Sequence, residues 1–239
     1  MFVLGLSSMA AADRAVVAPP VATIAAPAPS DPNRPRVKQA GDLIRARRAA
    51  EAVALLDAVL AAEEDAHRGE KRRIYCSRSM TETVLYMTMA ASANRKDGAV
   101  ALDSTWCDAL FLRAFALIDL GRSDAAEAWL TRAVDLAPMN AQYLGELAEL
   151  YKSRRDWTRA KRYFDAAATA AAFAPEESRS FEQRRAWRGQ AFVLTEAGKL
   201  DEAAALYRKC LALDGQDAGA RHELDYVGGL QRRASRHPG

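Results

Sequence analysis

The chain has 239 residues, half of them hydrophobic, with 34 Lys and Arg against 31 Asp and Glu and a formal charge of +3. So small an excess gives no basis for the concentrated basic face that nucleic acid requires, and no nucleic-acid partner is expected. No apolar run reaches about eighteen residues, which leaves no integral membrane span, and abundant alanine with few aromatics favours helices over sheets.

Residues 2–9 form a short apolar stretch followed by Ala10, Ala11, Ala12 and Asp13, the pattern of a secretory signal ending at small residues, although the positive leading region is missing. Export, for example to a periplasm, is therefore expected, with a cytoplasmic location as the alternative. In residues 15–36, Pro19, Pro20, Pro27, Pro29, Pro32 and Pro35 exclude a continuous helix. Residues 1–36 thus read as an apolar start, a possible signal remnant, and a disordered Ala/Pro leader.

A helical rhythm fills residues 37–230. In 37–66, Ala40, Leu43, Ala52, Leu56 and Val59 are spaced as Ala114, Leu117, Ala126, Leu130 and Ala133 are later, which predicts a weak first helix pair. Arg47 holds the turn place that Gly121 holds later, so the turn chemistry is not reproduced. Residues 67–106 have the poorest rhythm and leave room for one divergent helix pair, with a helix over 81–93 capped by Ser79 and a turn over 94–98.

Three clear copies of one pattern follow, over 107–140, 141–174 and 184–217. Ala114, Ala148 and Ala191 are each followed twelve residues later by Ala126, Ala160 and Ala203. Paired alanines at this spacing suit the crossing of two antiparallel helices, where a larger side chain would force the axes apart. Trp187, Tyr151, Phe164 and Tyr207 are expected to fill the space between pairs, whereas Arg113 and Gln190 stand where a large apolar residue is expected. The nine residues by which the third copy is displaced include Pro175, Glu176 and Glu177, a suitable start for a lengthened helix. Residues 218–230 read as a capping helix with Leu224 and Val227 inward, stopped by Gly228 and Gly229, and 231–239 as a basic tail.

In size, spacing and turn residues these copies resemble the tetratricopeptide repeat, in a bacterial type of protein. The resemblance implies an all-α fold, an α-solenoid of antiparallel helix pairs wound into a right-handed superhelix, whose concave face is lined by the first helix of each pair. It further implies a peptide-binding groove on that face, formed here by Asp108, Phe111, Phe115 and Asp119, then Gln142, Glu149 and Lys152, then Arg185, Arg188, Phe192 and Glu196. Phe111 and Phe115 have a second reading, as core against the helix over 81–93. Members that capture the acidic C-terminal peptide of heat-shock chaperones use a Lys/Asn/Arg clamp on these helices. Here Phe111, Phe115, Glu146 and Gly189 occupy clamp places and only Arg185 is compatible, which disfavours that partner.

Catalytic patterns are not found. There is no Gly-rich phosphate loop, no His-Glu-x-x-His helix and no paired-cysteine metal spacing, and His67, His222 and His237 lie far apart, so no catalytic residue, cofactor or metal site is assigned. In an exported protein Cys76 and Cys107 are the candidate disulfide, though spacing alone does not establish it, and Cys210 reads as a small core residue. The expected function is a non-catalytic scaffold for a protein or peptide. The alternatives are an assembly factor of an exported cell-envelope complex, or a helical-repeat enzyme or sensor. Oligomeric state is left open.

Overall fold

A computed structural model describes residues 31–93 and 96–236. The apolar start, most of the leader, part of the turn at 94–98 and the last three residues lie outside this range. Ten α-helices and two short strands occur among the described residues: α1 (Arg34–Arg45), α2 (Ala49–Ala66), β1 (Arg73–Ser77), α3 (Met80–Ser92), β2 (Ala99–Asp103), α4 (Thr105–Asp119), α5 (Ser123–Leu136), α6 (Ala141–Ser153), α7 (Trp157–Ala170), α8 (Glu176–Glu196), α9 (Leu200–Leu213) and α10 (Ala218–Arg236). A single 3-10 turn, Ala171–Phe173, joins α7 to the approach of α8.

The helices α1–α2, α4–α5, α6–α7 and α8–α9 are antiparallel pairs, and α10 packs on α9. Ala40 with Ala52, Ala114 with Ala126, Ala148 with Ala160 and Ala191 with Ala203 have no exposed surface. A methyl group is all that fits where each pair crosses. Arg113 and Gln190 resolve their apparent misfit with polar contacts. The guanidinium of Arg113 lies 3.9 Å from the centre of the Trp129 ring and also bonds Asp57, while Gln190 Nε2 donates to Asp165 Oδ1 at 2.7 Å.

All four pairs turn the same way. Arg47, Gly121, Arg155 and Gly198 have φ of 61°, 72°, 57° and 73°, and each turn closes with the two backbone bonds of a Schellman motif. Arg48 N–H donates to the Leu43 carbonyl and Arg47 N–H to that of Ile44, as Arg122 does to Leu117 and Gly121 to Ile118. The turn chemistry expected to be lost at Arg47 is therefore retained in geometry, with an arginine held in the left-handed region.

Residues 67–106 do not form another helix pair. Instead β1, α3 and β2 make a small β-α-β unit in which the strands run parallel, in register from Arg73 opposite Ala99 to Ser77 opposite Asp103. Parallel neighbours need a long crossover, and α3 supplies it. Ser79 caps α3, its Oγ accepting from Glu82 N–H at 3.2 Å. The solenoid continues past this unit, because α2 packs directly on α4. Cys76 in β1 and Cys107 in α4 are joined by a disulfide, with Cα atoms 6.1 Å apart, and both residues are buried.

Two further boundaries differ from expectation. Pro35 does not block a helix but sits in the first turn of α1, where its missing N–H has no helical partner to lose. The third copy begins, as its displacement predicts, with a lengthened helix, 21-residue α8 entered from Pro175. Gly228 and Gly229 do not stop α10, which runs on to Arg236. Gln231 Nε2 donates to Asp201 Oδ1 of α9 at 2.6 Å, and Val227 is fully buried, so packing against α9 offsets the poor helix propensity of the two glycines.

Candidate functional site

The first helices of the last pairs, α6 and α8, together with the start of α10, enclose an open groove of about 540 Å³ lined by Glu149, Lys152, Arg185, Arg188 and Phe192. Five residues expected on the concave face thus come together. Lys152 Nζ lies 4.9 Å from the centre of the Phe192 ring and is paired with Glu149. Phe192 also rests on Trp157, with ring centres 6.1 Å apart. An aromatic floor with an ammonium above it can hold an apolar side chain and a nearby polar group.

The two arginines are less available than their type suggests. Arg185 Nη2 bonds Glu146 Oε1 at 2.7 Å, and Arg188 Nη1 bonds Asp217 Oδ2. Asp217 is 6% exposed, receives Arg184 at 2.9 Å as well, and accepts the Ala220 N–H at 3.0 Å as it caps α10. Burial would raise its carboxyl, but these donors outweigh burial and hold it below the usual aspartate value. Arg184 and Arg188 therefore anchor α10 to α8 while Arg185 ties α8 to α6, and the groove is close to balanced in charge.

The other expected groove residues lie elsewhere. Asp108 is interior: Tyr143 OH donates to its Oδ1 at 2.6 Å and Ser104 Oγ to its Oδ2 at 2.7 Å. Desolvation pushes the Asp108 carboxyl above its ordinary value, with the two hydroxyl donors and the Arg78 charge opposing. Phe111 is buried and stacks on Tyr143 at 5.1 Å, not on α3, so it is core. Phe115 is half-buried against that same core, 6.4 Å from Phe111. Asp119 and Glu196 are exposed at the C-terminal ends of α4 and α8. Gln142 lines a separate, smaller cavity with Arg185.

The sequence reading missed Tyr207, Gly219, His222 and Glu223, which complete the groove from α9 and α10. The one local signal was Asp217, a helix cap just ahead of α10, which fixes that helix against two arginines of α8. Among the described residues, no group of three or more His, Cys, Asp or Glu side chains could hold a metal ion. No described helix is long and apolar enough to cross a membrane.

A family model for the tetratricopeptide repeat matches residues 108–140 and 186–217. These two stretches of the chain are tetratricopeptide repeats. Two crystal structures of nearly identical tetratricopeptide-like repeats from a Podosopora anserina kinesin light chain superpose with TM-scores of 0.54 and 0.53 at 16% identity. Each covers 85% of this chain and 90% of its own. The first tetratricopeptide domain of Spaghetti (RPAP3), bound to the HSP90 peptide SRMEEVD, matches 55% of this chain and 97% of its own at 21% identity and a TM-score of 0.48. At these identities the likeness is one of fold. No curated protein matches the sequence significantly. The repeats support a protein-interaction scaffold in general terms.

Proposed function

We propose that this tetratricopeptide-repeat protein binds an extended peptide of a partner in the groove between α6, α8 and α10, without a catalytic step. The observation that carries this reading is the convergence of Glu149, Lys152 and Phe192 on one open groove of about 540 Å³ beside two arginines already paired within the fold. Recognition there rests on the Phe192 ring and the Lys152 ammonium, with Glu149 and Glu223 setting the polarity of the partner. A crosslinked pull-down comparing wild type with Lys152→Ala plus Phe192→Ala tests it. A partner lost only from the variant, which should keep its thermal midpoint, supports the groove, and retention of the same partners overturns it.

A second reading concerns the compartment. A buried disulfide between Cys76 and Cys107 favours an oxidising location, in keeping with an exported role in assembling a cell-envelope complex. Intact-mass measurement of the native protein decides this. Three free thiols and an uncleaved N-terminus would place it in the cytoplasm instead.

A further inference from the structure

The β-α-β unit is fixed to the solenoid through β1. This strand packs on α4 and α5, with Cys76 bridged to Cys107 and Arg73 Nη1 bonding Asp135 Oδ2 of α5 at 3.0 Å. Arg78, one residue past β1, forks onto two buried carboxylates. Its Nη2 bonds Glu82 Oε1 of α3 at 2.7 Å, and its Nη1 bonds Glu182 Oε1 of α8 at 2.6 Å, across 104 residues of sequence. By contrast, β2 makes its main contacts with β1 and α3, and each of its residues is half-buried. A two-stranded sheet anchored in this way presents β2 as a rigid outer edge.

The register of the ladder decides which groups that edge offers. Arg73 N–H donates to the Gly98 carbonyl at 3.0 Å, and in parallel register this turns the backbone of Val100 and Leu102 toward β1. The N–H and C=O of Ala99 and Ala101 and the N–H of Asp103 then point away from β1. None of these groups has a hydrogen-bond partner among the described residues. Such a row of unpaired donors and acceptors is a template for one more strand.

The first described residue, Asp31, sits at the end of this same edge. Its N–H donates to Asp103 Oδ2 at 3.3 Å, and Arg34 pairs with Asp103 at 3.1 Å. Directly before it the sequence reads Ala25, Ala26, Pro27, Ala28, Pro29 and Ser30. Proline pushes the residue before it toward extended backbone, here Ala26 and Ala28. Pro27 and Pro29 are two apart, so in an extended segment both positions without an N–H fall on one side. The N–H groups of Ala26, Ala28 and Ser30 fall on the other, the arrangement that admits proline to an edge strand. Residues 15–30 carry no charge, which suits an edge built of Ala99, Val100 and Ala101. A strand from another molecule would lose its translational freedom on docking, whereas this segment is already tethered at Asp31.

We infer that residues 25–30 dock on the free edge of β2 as a third, parallel strand, with Ala26, Ala28 and Ser30 facing β2 and the two prolines facing outward. The direction is parallel because the segment reaches Asp31 at the end of β2 where Asp103 lies, and α1 and α2 belong to the long crossover such a pairing needs. The prolines then end the sheet, so the edge is closed to strands of other chains. This pairing is separate from the groove at Phe192 and stands or falls without it. Residue-resolved amide exchange, followed by NMR on the full-length protein, tests it. The N–H groups of Ala28, Ala101 and Asp103 should be protected in wild type. Those of Ala101 and Asp103 should exchange about tenfold or more faster in Ala26→Pro plus Ala28→Pro, which removes two facing donors and leaves the thermal midpoint of the helices unchanged. Pro27→Ala plus Pro29→Ala, on the outward side, should keep the protection. Exchange in wild type as fast as in the Ala26→Pro plus Ala28→Pro variant, or an equal loss in both variants, overturns the inference. So does protection that appears only as protein concentration rises and a dimer forms, which assigns the edge to a second copy.

Discussion

Gly189 is where one methyl group decides whether α7 and α8 can pack. A Cβ there would sit 2.1 Å from the Phe164 ring, and Phe164 is fully buried and cannot move aside. Gly189→Ala should lower stability by about 3 kcal/mol through overpacking, despite the better helix propensity of alanine, as urea denaturation would measure, and Phe164→Leu should restore part of it. Asp108 makes the opposite kind of prediction. Its carboxyl is raised above 3.8, chiefly by desolvation, so the folded state holds its proton more readily than the unfolded state. Its contribution to stability is therefore fullest at low pH and falls as pH rises from about 3.8 through the higher folded value. Asp108→Asn keeps an acceptor for Tyr143 and removes the buried charge. It should flatten this part of the pH profile and match or exceed wild type at pH 7 by up to about 1 kcal/mol. A clear loss at pH 7 would show that the Tyr143 and Ser104 bonds need the ionised form.

Among elements, the four inter-helix turns share one geometry but not one residue type. Arg155 holds φ 57° where Gly121 and Gly198 reach similar angles freely. Arg155→Gly should therefore raise stability by about 0.5–1 kcal/mol, read as a shift in denaturation midpoint, since relief of left-handed strain exceeds the added freedom of the unfolded chain. The helix pairs were legible in the sequence because crossing helices need small residues at fixed spacing, and alanines such as Ala148 and Ala160 record that need directly. The β-α-β unit was not. Arg73–Ser77 and Ala99–Asp103 are five residues each, too short for periodicity to separate strand from helix, and their pairing is non-local. The groove was half legible for a related reason. First-helix positions placed Glu149, Lys152, Arg185, Arg188 and Phe192 on one face, but Asp108 and Phe111 were lost to it because Tyr143 covers both, a contact between helices that no local pattern announces.

Across the whole molecule, the disulfide fastens the β-α-β unit to the first helix of the following pair. Closing a loop of 31 residues restricts the unfolded chain by about 3.5 kcal/mol on the chain-entropy account. Cys76→Ala plus Cys107→Ala, or reduction of wild type, should lower the thermal midpoint by about 10 °C, and Cys210→Ala, which keeps the bridge, should show the same fall on reduction, whereas the double variant should not respond to reductant. The bond from Arg78 to Glu182 has a different consequence. Stability in a stack of helix pairs is a sum over neighbours, so its ends can open while the middle stays folded. A charged bridge between elements 104 residues apart opposes that freedom, because parting α8 from the β-α-β unit would break the Arg78–Glu182 pair and leave Arg78 with only one of its two carboxylates. Amide hydrogens of α8 should then exchange at the rate of the innermost pairs, and the protein should unfold as one cooperative unit where an ordinary solenoid would fray from its end.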